Sequence, residues 1–108
     1  MYVFMLLRGE VFVLMEIKEG KNRFYIGESE KEPVAEIVFS YKKTDIIVIE
    51  RTFVSEELRG QNIAGQLLQR VVDKARREGL KIIPECTYAK KVMNRGEDYK
   101  DVLYDFKK

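Results

Sequence analysis

The chain of 108 residues contains no histidine and only one cysteine, Cys86. Without these usual zinc ligands we expect no zinc site and no metal cofactor. The commonest general base near neutral pH is also missing, so acid–base chemistry must use glutamate, aspartate, tyrosine, cysteine or lysine. A lone thiol excludes an internal disulfide and is typical of the reducing cytoplasm, where we expect this protein to be.

Long apolar stretches and a strong charge of one sign are missing as well. No run of about 18 apolar residues occurs, so the sequence predicts no membrane span. The 20 basic and 18 acidic residues give a net charge of +2, which argues against a nucleic-acid partner. With 45% hydrophobic and 35% charged residues, the composition is that of one small globular domain.

Apolar runs separated by turn signals predict four strands in the first half of the chain, over residues 11–17, 23–27, 34–41 and 46–54. Residues 19–22 and 42–45 are predicted turns. The last strand is apolar without interruption at its start, which indicates burial on both faces.

The hydrophobic period then changes from that of a strand to that of a helix. Ile63, Leu67, Val71 and Ala75 recur every four residues and predict an amphipathic helix that ends at Gly79. A strand over 80–83 and a helix over 87–95 follow, whereas 99–106 fits either type. This order predicts a mixed α/β fold: an antiparallel meander, then a parallel β-α-β unit, with helices packed on the sheet.

The first 14 residues leave two interpretations open. Met15 begins a plausible complete domain, and residues 8–11 back-translate to a purine-rich ribosome-binding sequence. Residues 1–14 are then a mis-assigned leader, ahead of a domain over 15–108. Alternatively, residues 11–14 form a genuine extra strand of the sheet. The strand edge near 11–17 is also suited to pairing with a second copy, and we expect a monomer or a weak dimer.

The stretch most informative about chemistry leaves the 46–54 strand and enters the predicted helix. A helix N-terminus offers unsatisfied N–H donors and a partial positive charge, which favour a bound phosphate. Gly60 and Gly65 allow close approach of the backbone, Asn62 tolerates a left-handed conformation, and Arg59 adds a charge. The alternative is an ordinary connecting loop with an exposed arginine.

Residues 59–64, Arg-Gly-Gln-Asn-Ile-Ala, resemble the pyrophosphate loop of the GNAT acetyltransferase superfamily, with asparagine where glycine is usual. Residues 80–90 and 98–102 resemble its short YjdJ-type branch. The resemblance implies a GNAT-like fold that binds acetyl-CoA between two splayed parallel strands. Pro84 fits such a gap because it cannot complete a ladder, although it would equally end an edge strand. The cofactor-binding residues implied are Phe53, Val54, Arg59, Gly60, Gln61, Asn62, Ile63, Ala64, Gly65 and, at the nucleotide end, Lys90 with its neighbour Lys91, two lysines that equally fit a solvated face.

Acetyl transfer to an amine needs a base for the amine and an acid for the departing thiolate. Many superfamily members use a strand glutamate and a helix tyrosine, which indicates Glu50 and Tyr88. Burial would make Glu50 a better base, whereas an outward position or a pair with Arg51 would not, and Tyr88 is alternatively a packed aromatic. Cys86 is a third candidate, either as an acyl-carrying nucleophile or as a small buried hydrophobe. The branch often has histidine at the position of Arg51, so a thiol-activating base is missing here.

Two functions therefore remain open. One is an N-acetyltransferase that moves an acetyl group from acetyl-CoA to an unidentified amine of a small molecule or a protein. The other is a non-catalytic acyl-CoA-binding or sensor protein. Only a short turn separates the first strands, so the helices that usually build an acceptor site have no room. The acceptor side should be open, which suits a macromolecular acceptor.

Overall fold

The computed structural model of the chain describes residues 2–7 and 10–106, with side chains from residue 16 onwards. Two sheets are formed: a two-stranded antiparallel hairpin, and a five-stranded sheet that is antiparallel except for its last pair. The mixed α/β architecture is therefore confirmed. Its elements are β1 Tyr2–Leu7, β2 Glu10–Glu16, β3 Lys18–Gly20, β4 Arg23–Ile26, β5 Ala35–Lys43, β6 Ile46–Val54, α1 Ile63–Glu78, β7 Lys81–Pro84 and α2 Thr87–Met93, with a short 3₁₀ turn at Glu56–Leu58.

The five-stranded sheet, in the order β3-β4-β5-β6-β7, has two unlike faces. The alternation of β5 places Ala35, Ile37 and Phe39 on one face, where they share a buried core with both helices. We call this the helix face. The opposite face contributes nothing to that core, and we call it the open face; it carries Tyr25, Glu36, Val38, Arg51 and Phe53.

The N-terminal strand differs from the predicted one. The 11–17 run is divided between β2, which ends at Glu16, and the buried core residue Ile17. In the described part of the chain, β2 pairs with β1 and with no strand of the five-stranded sheet. The predicted turn at 19–22 is also shorter, because Glu19 pairs with Phe24 in the ladder between β3 and β4. Whether the functional domain begins at residue 15 stays a prediction.

The C-terminal segment, which the sequence left undecided, is neither helix nor full strand. Residues 98–102 form turns, and Leu103 makes a parallel bridge to Ile82. The Ile82 N–H donates to Val102 O at 2.6 Å, and the Tyr104 N–H donates to Ile82 O at 2.8 Å. Strand β7 therefore has hydrogen-bonded neighbours on both sides.

No helix of the described part of the chain is long and apolar enough to cross a membrane.

An ion pair fastens this segment to α1, and its contribution should depend on pH. Arg76 Nε donates to Asp101 Oδ2 at 2.8 Å, and this bond holds the pKa of the Asp101 carboxyl below its usual value. A lowered pKa means that the pair stabilises the fold above the unfolded pKa and loses this effect as pH falls through the folded pKa. We expect Asp101→Asn to speed hydrogen exchange of the Tyr104 amide at neutral pH. The difference from wild type should vanish in acid; a difference that persists there would contradict the assignment.

Candidate functional site

A β-bulge in β6 marks the point where the parallel strands part. Phe39 pairs with Ile49 and Val38 with Arg51, so Glu50 is a surplus residue in β6. Bulges bend a strand and increase its twist. The ladder between β6 and β7 ends one residue before this bulge, at the pair Ile49–Pro84.

Beyond the bulge, β5 is the one strand of the described residues that pairs with β6. The Glu85 and Cys86 N–H groups both donate to Ile49 O, at 3.0 and 3.1 Å, and α2 begins directly afterwards. We call the space between residues 50–54 and 85–88 the wedge. The predicted burial of the 46–54 strand on both faces is wrong for this second half, because the side chains of residues 50–54 are exposed or only half-buried. No strand of the described residues covers the outer edge of this part of β6.

The loop after β6 ends in the left-handed conformation expected for Asn62, which has φ 58° and ψ 32° and precedes α1. Its side chain makes no capping hydrogen bond. The first helical bond runs from the Gln66 N–H to Asn62 O, at 3.1 Å. Within the described residues, the N–H groups of Ile63, Ala64 and Gly65 find no acceptor. Three parallel donors are therefore available to an anion here.

Packing within the protein also explains the glycine at position 65, besides the expected close approach of a ligand. A Cβ at this position would overlap the Asn62 side-chain oxygen. The missing side chain thus leaves room for the asparagine above the first turn of α1. Gly60 has a positive φ of 83°, which favours glycine.

The other loop residues differ in how deeply their side chains are buried. The Ile63 side chain is buried in the core, so only its backbone can contact a ligand. Gln61, Ala64 and Val54 are half-buried, while Phe53 is exposed on the open face. The Arg59 Nε folds back and donates to Val54 O at 3.2 Å, which holds its guanidinium beside the end of β6.

A cavity of about 490 Å³ joins the start of α1 to α2. Asn62 and Gly65 line it from one side, and Tyr88, Lys91 and Arg95 from the other. Lys90 lies instead on a different cavity beside Pro84, because one residue of helix turns a side chain by about 100°. Of the two lysines expected near the nucleotide end, only Lys91 lines the cavity at the start of α1, and Arg95, which the sequence did not single out, lies beside it. Tyr88 and Lys91, three residues apart, share one face of α2, and Arg95 lies two residues beyond its end.

Cys86 and Tyr88 lie near each other at the start of α2. The Cys86 Sγ accepts the Ala89 N–H at 3.2 Å and lies 3.4 Å from Thr52 Oγ1, so this contact spans the base of the wedge. Burial raises the pKa of the Tyr88 phenol, and neighbouring Tyr99 and Cys86 add to the rise, whereas Arg95 opposes it. This hydroxyl stays protonated at neutral pH and is suited to donate a proton.

Glu50 is exposed at the bulge, so the burial expected of a catalytic base is absent. It does not pair with Arg51 either; the Arg51 guanidinium binds Glu36 instead, at 3.1 Å. In the described residues, no group of three or more acidic or cysteine side chains is placed to hold a metal ion.

Comparisons with known proteins agree with this geometry. The family model of the GCN5-related N-acetyl-transferases matches residues 23–102. A solution structure described as GCN5-like, from Staphylococcus aureus, is 41% identical, with a TM-score of 0.72 over 85% of this chain and 90% of that one. No curated protein sequence matches.

Two more distant structures share the fold. A GNAT family acetyltransferase from Elizabethkingia anophelis with acetyl-CoA bound is 19% identical, with a TM-score of 0.50, over 68% of this chain and 50% of that one. A GNAT family acetyltransferase from Staphylococcus aureus is 14% identical, with a TM-score of 0.52, over 67% and 49% of the two chains.

Proposed function

This chain belongs to the GCN5-related N-acetyltransferase family, and we propose that it transfers an acetyl group from acetyl-CoA to an amine. The observation that carries the proposal is the wedge. A strand that continues for five residues after its parallel neighbour has turned away leaves room for a slender ligand between them. The acetyl-CoA-bound structure with this fold supports the choice of ligand. We also propose that residues 15–108 form the binding domain. We place the protein in the reducing cytoplasm, which the single thiol favours.

We propose that the pyrophosphate binds at the start of α1. The free N–H groups of Ile63, Ala64 and Gly65 would donate to its oxygens, and the guanidinium of Arg59 would add charge. Lys91 and Arg95 would face the phosphates of the nucleotide end across the cavity. The pantetheine arm would follow residues 52–54, whose outer edge no strand of the described part covers.

The chemistry that this arrangement supports is direct attack of an amine on the thioester carbonyl. The N–C bond forms as the C–S bond breaks, the amine loses a proton and the departing sulfur gains one. Tyr88, whose pKa is raised by burial, would donate the proton to sulfur. Glu50, exposed at the bulge, would take the amine proton directly or through a water molecule. Cys86 remains a candidate acyl carrier, because its sulfur lies within the wedge.

Calorimetric titration with acetyl-CoA and with CoA, followed by an intact mass spectrum, tests the proposal. We expect saturable binding with a dissociation constant of about 1 μM to 1 mM, the usual range of substrate affinities. Release of CoA on addition of an amine, with an unmodified protein mass, would indicate direct transfer. A gain of one acetyl group on Cys86 would indicate the covalent route. Titrations without any heat or saturation would overturn the assignment.

A further inference from the structure

The open face carries a buried carboxylate between two arginines. Glu36 is only 6% exposed, and its two oxygens receive Arg23 Nη1 at 2.8 Å and Arg51 Nη2 at 3.1 Å. A buried charge is strongly disfavoured unless it is paired and hydrogen-bonded, which explains the first arginine. The second guanidinium gives the cluster a net charge of +1. This excess charge is not needed to neutralise Glu36.

Arg51 presents most of its charge to solvent. Its side chain is 64% exposed, and the bond to Glu36 uses one of its five N–H donors. Glu36 holds the guanidinium against the sheet, so less freedom is lost when a ligand binds it. Phe53, directly opposite Glu36 in the ladder and 42% exposed, adds an apolar surface on the same face.

The position of this cluster relates it to the wedge. Arg51 and Phe53 lie on the part of β6 beyond the bulge, on the face opposite to Thr52, whose hydroxyl contacts Cys86. An acceptor that approaches the wedge from the open face must therefore pass them. No helix that packs in the described core covers this route.

We propose that Arg51, held by Glu36 and flanked by Phe53, binds a carboxylate beside the reacting lysine of a protein segment. The proposal rests on the acetyltransferase function proposed above and specifies its acceptor class. The occupant follows from charge complementarity, because a guanidinium with free paired donors matches a carboxylate. A sheet face that neither described helix covers also suits an extended segment better than an enclosed metabolite.

Two capped peptides, Gly-Glu-Lys-Glu-Gly and Gly-Gln-Lys-Gln-Gly, provide the test. We expect the wild-type protein, saturated with CoA, to bind the acidic peptide about two- to fivefold more tightly, the usual effect of an ion pair at an exposed site. The preference should weaken with added salt. Arg51→Gln should abolish it, and Arg51→Lys should retain part of it. The measurement is peptide affinity by NMR titration, and it requires no turnover.

Arg77→Gln is the matched control. Arg77, at the opposite end of α1, is 63% exposed, and its one ion pair among the described residues is with neighbouring Glu78, at 3.6 Å. The Arg77→Gln substitution should leave the preference for the acidic peptide unchanged. Equal affinity of wild type for both peptides, or an unchanged preference in Arg51→Gln, would overturn the proposal. So would equally tight binding of free glutamate, because the occupant would then not be a protein segment. Acetyl-CoA affinity of the same samples reports separately on the proposed function.

Discussion

Asn62→Asp is expected to weaken acetyl-CoA binding by about ten- to hundredfold while the fold stays as stable as wild type. The substitution puts a negative charge at the start of α1, where we place the pyrophosphate. Two like charges a few ångströms apart at a protein surface repel by a few kcal/mol, which salt reduces. Aspartate also tolerates the left-handed conformation that residue 62 adopts and is a favoured N-cap. Titration calorimetry and thermal unfolding of the same sample separate the two effects.

Asn62→Gly is the matched control at the same position. Glycine adopts the φ of 58° without steric cost and introduces no charge, so affinity should stay within about threefold of wild type. Equal affinity of the aspartate variant and wild type would show that no phosphate lies at this helix end. The wedge would then need another ligand.

Tyr88→Phe is expected to lower the rate of acetyl transfer by about a hundredfold, the usual effect of losing a general acid. Affinity for acetyl-CoA should stay within about twofold, because the phenyl ring preserves the packing. Since burial raises the pKa of Tyr88, the phenol is protonated throughout pH 6–9. The rate should therefore rise with pH as the acceptor amine loses its proton, and the variant should be slower by the same factor at each pH. Release of CoA thiol, followed over this range, is the measurement.

Tyr104→Phe is a suitable control, because Tyr104 lies on the other cavity, next to Lys90. Its rate should match that of wild type. A Tyr88→Phe enzyme with a wild-type rate would remove this residue from the mechanism. If Cys86→Ala then abolished turnover, the covalent route would replace the direct one.

Local features of the site could be predicted from the sequence, and features that depend on strand pairing could not. The α1 helix follows from its four-residue spacing, and the left-handed Asn62 from the preference of asparagine for that conformation. The bulge at Glu50 depends on the register with β5, which no local pattern reveals. The exposure of Glu50 could not be predicted either, because the apolar start of β6 suggests that the following residues are buried too.

The helix after the wedge shows a different limit. In the sequence, Lys90 and Lys91 are two equivalent lysines on a solvated face. The orientation of α2 against α1 decides which cavity each of them lines. The N-terminal run 11–17 is strand-forming by composition, but its partner decides which sheet it joins. Membership of the GCN5-related family is established by the match over residues 23–102, whereas the short branch within it stays a prediction.

The bulge in β6 also bears on how such proteins arise. Because Glu50 is an addition that leaves the pairing with β5 intact on either side, the residues before and after it keep their faces. One additional residue of chain can therefore bend β6 at the point where its ladder with β7 ends, whatever side chain that residue carries. Insertion and deletion, rather than substitution, would be the evolutionary events that create or abolish this kind of site.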